Sequence, residues 1–180
     1  MATYGTFSTG MGGSTFLAPV TAHPTTTLTM ALYNPTSDRV YKVKRLSEFL
    51  ASGTPAAGGA LLACVTAVPQ ARPTLSTGDN GGYAGTVISQ LGGRGKPGDT
   101  QAVFINAITL TGPQPAWFVA GAEPTTPATA AIATHALDVD VSDRDIEVLP
   151  GHMLGVTYLS GAGTAPLYGF GVIWKEEDMD

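Results

Sequence analysis

Few residues in this sequence have the type and spacing to do chemistry, and each group that does meets a local obstacle. The stretch GGRGKPGDT (92–100) is a glycine-rich basic loop of the kind that cradles phosphate. A phosphate loop needs glycine five positions before the Gly of its Gly-Lys pair, and a hydroxyl side chain after the lysine. Gln90 and Pro97 stand there instead, so the stretch reads as a hairpin loop. His23, His135 and His152 lie too far apart in the chain for the local spacing of a metal-ligand pair. The single cysteine, Cys64, sits in the apolar run GALLACVTAV. It can form no disulfide within the chain and lacks the electropositive setting that activates a thiol, so it reads as a buried, inert residue.

The densest charge lies in DVDVSDRDIE (138–147), with Asp138, Asp140, Asp143, Asp145 and Glu147. Oxygen ligands at this spacing suit Ca²⁺, which takes 6–8 of them. The glycine that shapes an EF-hand loop is missing, and Arg144 supplies an internal counter-ion. A solvated strand edge, where charge discourages edge-to-edge pairing, is the simpler reading. No G-x-S-x-G elbow offers a serine nucleophile. The expectation is a non-enzymatic chain with no catalytic residues, no cofactor and no metal.

Composition narrows the classes further. The 180 residues are 43% hydrophobic but only 13% charged, about half the usual charged share. Glycine (23) and proline (13) are abundant. Net charge is −5, and the only local basic cluster is Lys42, Lys44 and Arg45. A grip on nucleic acid needs clustered Lys and Arg, so no nucleic-acid partner is expected. No stretch approaches the roughly 20 apolar residues that span a bilayer, and no basic segment leads into a long apolar run, so no membrane association or secretion signal is expected.

The elements that would carry any site are short strands. TTTLTMALYNP alternates Leu28, Met30 and Leu32 against Thr27, Thr29 and Ala31, and stops at Asn34-Pro35. RVYKVKRLSEFL begins as a strand, and its tail also fits one helical turn. GALLACVTAV, YAGTVISQL, QAVFINAITL, PAWFVAG, THALDVDV, DIEVL, HMLGVTYL and APLYGFGVIW follow, separated by turn signals. This pattern predicts an all-β, jelly-roll-like antiparallel sandwich of about eight to ten strands. Residues 1–37 carry no Asp, Glu, Lys or Arg. Residues 1–20, rich in Gly, Ser and Thr, read either as a flexible terminus followed by a first strand near Ser14–Val20 or as an extended arm that orders by lying on a neighbouring subunit; residues 21–180 read as one sandwich domain with a short acidic tail. In APLYGFGVIW, Tyr168, Phe170, Val172 and Trp174 share one face, which reads as core. Gly169 and Gly171 leave the opposite face bare, and glycine inside a strand calls for something in close approach.

The neutral arm, ALYNP closing an early strand, IEVLPGHMLGVTY and the final YGFGVIWKEE occur together. In this combination the chain resembles small structural proteins of tailed-phage virions, namely jelly-roll head decoration (cement) and minor capsid proteins. That resemblance implies a protein of the virion surface, made in the host cytoplasm, that binds the major capsid protein of a shell, often as a homotrimer, and stabilises it. The residues assigned to the oligomer or capsid interface are Tyr4, Phe7, Phe16, Gly169 and Gly171. The alternative is a carbohydrate- or receptor-binding sandwich of a phage fibre or lectin-like kind. It would stack sugar on Trp117, Tyr83 and Tyr158 and place Ca²⁺ in the 138–147 stretch.

Overall fold

The computed structural model describes residues 2–7, 16–56, 58–73, 88–93, 102–123, 136–161 and 163–179, and every regular element among them is a β-strand. The strands are β1 (Ala2–Phe7), β2 (Thr27–Tyr33), β3 (Arg39–Thr54), β4 (Gly59–Val65), β5 (Ile88–Gly93), β6 (Val103–Thr109), β7 (Trp117–Glu123), β8 (Ala136–Asp140), β9 (Glu147–Val148), β10 (Met153–Leu159) and β11 (Thr164–Asp178). They form two antiparallel sheets. The first runs β5-β1-β11-β3-β8, with β9 also on β3; the second runs β6-β2-β10-β4-β7. Without β5, β6 and β9, the remaining eight strands read β1-β11-β3-β8 against β2-β10-β4-β7. This is the jelly-roll order, in which two Greek keys wrap into facing sheets. The all-β, jelly-roll-like sandwich expected from the strand pattern is the fold.

The inner row of β11 builds the core. Tyr168, Phe170 and Trp174 are fully buried, and Val172 nearly so. Trp174 lies between Tyr4 of β1 and Tyr41 of β3, at ring separations of 5.9 and 6.1 Å, while Tyr158 of β10 meets Tyr168 at 4.5 Å. Such tilted pairs add to what burial of the rings already contributes. The second sheet is also buried on its other side. Leu28, Ala31, Tyr33, Cys64, Val103, Ile105 and Met153 form a separate cluster, with Ile108, Leu110 and Trp117 packed against it. That is why TLTMALY, GALLACV and MLGVTYL read as nearly continuous apolar runs.

The structure corrects two expectations and settles a third. The first strand is Ala2–Phe7 rather than 14–20, and it is an inner strand of the first sheet, paired with β11 on one side and β5 on the other. Residues 2–7 therefore belong to the sandwich and not to an arm. Near 17–20 there are only single bridges, from Leu17 to Tyr168 and from Val20 to Leu159. Local sequence could not reveal β1, because its main partner lies some 170 residues away and its own signal is six residues with a glycine. Residues 94–100 of the GGRGKPGDT stretch lie outside the described residues. The flanking β5 and β6 belong to different sheets, so this connection passes from sheet to sheet and closes no hairpin. Finally, the tail of RVYKVKRLSEFL stays extended to Thr54, its alternation blurred because Glu48 occupies a buried position between Leu46 and Leu50.

Candidate assembly surface

The residues assigned to an interface separate into two groups. Tyr4 points into the core beneath Trp174 and is 1% exposed, so it fills this chain's own interior. Gly169 is likewise occupied from within. The ring of Phe49, its partner across from β3, lies over it, and a Cβ at Gly169 would come within 2.5 Å of that ring. Phe16 in turn meets Phe49 edge-on at 5.8 Å. The bare face of β11 is thus covered by the chain itself around Gly169. Gly171 is buried and stands in register between Phe7 of β1 and Ser47 of β3. The side chain of Phe7 lies outside the described residues.

Toward the other end of β11 the outer face of the first sheet becomes charged. Lys42 reaches Glu177 at 2.8 Å and Glu147 at 3.6 Å, and Lys175 reaches Glu177 at 3.0 Å. Hydrogen bonds from Lys42 and Lys175 hold the Glu177 carboxyl down to about 2, and donating to Glu177 raises Lys42. Arg45 pairs with Asp138 at 3.0 Å. Arg39 pairs with the buried carboxylate of Glu176 at 3.0 Å, and Glu176 also accepts from the Trp174 indole N–H at 3.3 Å. Two members of the basic cluster, Lys42 and Arg45, are therefore engaged by the chain's own carboxylates.

The acidic stretch is one edge of β3 with an excursion in its middle. β8 pairs along residues 45–49 and β9 along 41–42, and between them the chain turns out through Ser142–Asp145. Val141 and Ile146 close the excursion by bonding to Lys44 and Val43, and both are buried. Asp140 accepts from the Ser142 backbone N–H at 2.9 Å, and its bonds to Ser142 lower its pKa. Among the described residues no group of three or more His, Cys, Asp or Glu side chains comes together in a way that could hold a metal ion.

Two of the aromatics of the sugar-binding alternative, Tyr158 and Trp117, are among the described residues. Tyr158 is fully buried. Trp117 donates its indole N–H to the Pro24 carbonyl at 2.9 Å, and His23 stands edge-on to its ring at 5.7 Å. Tyr83 and His135 lie outside the described residues. His152 stays local, with Nδ1 3.0 Å from the Pro150 carbonyl. Burial pushes the Cys64 thiol up to about 12, as expected of an inert core cysteine.

Sequence reasoning missed two polar anchors. The amide of Asn34 is fully buried: it donates to the carbonyls of Arg39 and Val148, both at 2.8 Å, and accepts from the Thr36 N–H and hydroxyl. Gln70 donates to the carbonyls of Val68 and Thr111 and accepts from the Thr111 N–H, while its own N–H bonds to Gly151. The first was legible only as an Asn-Pro turn, and the second carries no local signal because its partner is 41 residues away.

One side of β7 pairs with β4, and its other side has no strand partner among the described residues. There Val119 is 56% exposed, and its carbonyl accepts from Arg144 at 3.1 Å. No protein-family description matches the chain, and neither a curated protein nor a solved structure shows significant similarity to it.

Proposed function

We propose that this chain is a non-enzymatic structural protein of a phage virion, which docks as a homotrimer on the major capsid protein at the outside of a shell and stabilises it. The observation that carries the reading is the jelly-roll strand order, an architecture shared by viral capsid proteins and lectins. The step from that fold to a role is by analogy. Surface chemistry favours the capsid branch. With 13% charged residues, and several of those paired within the chain, close approach to a neighbour strips water from few unpaired charges. Symmetric assemblies then repeat one modest contact many times, and avidity does the rest. Of the stacking faces the lectin branch would use, Tyr158 is in the core, while Trp117 is half-buried with its indole N–H bonded to Pro24.

Imaging of shells with and without the protein tests this reading. Added density on the outer surface at local three-fold positions is the expected result. A calcium-dependent hit on a glycan array, with shells left undecorated, contradicts it.

A further inference from the structure

The cover of the second sheet contains a cleft of about 180 Å³, between the 70–73 segment and the end of β6. Met153 lines it and is 1% exposed, and half-buried Ile108 and Pro73 add further apolar surface. Arg72, Thr109 and Thr111 also line it and are exposed, so the cleft opens to solvent on their side.

One wall is fixed from within the chain. The Gln70 amide donates to the Thr111 carbonyl at 2.9 Å and accepts from the Thr111 N–H at 2.9 Å and its hydroxyl at 3.2 Å. The Gln70 N–H bonds in turn to the Gly151 carbonyl at 2.7 Å. A wall already held in place leaves little to order when a ligand arrives.

Arg72 differs from most of the described cations. Arg39, Lys42, Arg45 and Lys175 are paired with carboxylates, and Arg144 donates to a carbonyl. The Arg72 side chain has no carboxylate partner among the described residues. A guanidinium is a planar fork that matches a carboxylate with two parallel hydrogen bonds. Placed beside apolar surface, it suits an anion that carries a hydrocarbon body; a bare phosphate would leave the apolar side of the cleft unfilled. Size limits that body. Sites for drug-sized ligands run to roughly 300–1,000 Å³, whereas this volume matches about six water molecules in the liquid.

We propose that this cleft binds a small aliphatic carboxylate, with its charged end on Arg72 and its alkyl chain against Met153, Ile108 and Pro73. The site lies within one chain and needs no second copy, so it stands or falls separately from assembly.

Titration of the full chain with hexanoate, followed through backbone amide NMR, tests the proposal. Saturable shifts are expected at Arg72, Ile108, Thr109 and Thr111. Butyrate is expected to bind more weakly, by a factor of about four for each methylene lost. Hexanol keeps the chain without the charge and is expected to bind about tenfold more weakly or worse. Arg72→Gln is expected to lower hexanoate affinity by about tenfold, at an unchanged unfolding midpoint because Arg72 is exposed. The absence of saturable shifts with hexanoate overturns the proposal. So does equal affinity for hexanoate and inorganic phosphate, or hexanoate binding that survives Arg72→Gln undiminished.

Discussion

The two outer faces of the sandwich are built on opposite principles. On the first sheet, salt bridges run from Glu147 through Lys42 to Glu177 and Lys175 across β9, β3 and β11. On the second, Leu28, Ala31, Cys64 and Met153 form a second core, with Leu110 and Trp117 packed over it and Gln70 tying two of the covering loops together. The charged face gains little per contact, adapts to substitution and weakens with salt. The apolar face is closely packed around Gly155, where added volume meets Leu28 and Cys64. The same pleat thus supplies a solvent surface on one side of the molecule and a second buried layer on the other.

The largest effect belongs to the core that both sheets share. Trp174→Ala removes the ring between Tyr4 and Tyr41, together with the donor to Glu176, and is expected to cost about 3–5 kcal/mol in denaturant unfolding. The contrast between the outer faces is sharpened by introducing a valine on each. At Gly155 on the second sheet, a Cβ would stand 2.6 Å from Leu28 and 2.9 Å from Cys64, so Gly155→Val is expected to cost about 1–3 kcal/mol. Ser47→Val, on the outer face of the first sheet, is expected to stay within about 0.5 kcal/mol. Equal costs would erase the distinction.

Gln70→Ala tests how the cover of the second sheet is fastened. Losing the side-chain bonds to Val68 and Thr111 is expected to cost about 1–3 kcal/mol, with faster hydrogen exchange at Thr111. The smallest effect lies in the ion ladder. Glu177 titrates at about 2 in the folded chain against an ordinary 4.5. Its contribution is therefore complete above pH 4.5 and disappears as the pH falls toward 2. Glu177→Gln is expected to flatten the fall of the unfolding midpoint through that window. An unchanged slope would show that the ladder adds nothing.

The same contrast decides what could be read from the sequence. Where one face meets water, alternation is visible, as in β8 with Asp138 and Asp140 pointing out. Where both faces are buried, strands appear as short apolar runs between turn residues, and β4 and β10 were found this way. What stayed hidden depends on contacts distant in sequence. β1 exists because β11 and β5 flank it; the glycine face of β11 is bare because Phe49 needs the space over Gly169. The division of β5 and β6 between two sheets leaves no trace in the loop that joins them. Of the residues expected at an interface, Tyr4 and Gly169 are filled from within the chain, by contacts distant in sequence.

Self-association is the central claim, and sedimentation velocity over about a hundredfold range of protein concentration tests it most directly. The account predicts a species of three times the 18.4 kDa chain mass that dissociates on dilution. A single 18.4 kDa monomer across the whole range would contradict it.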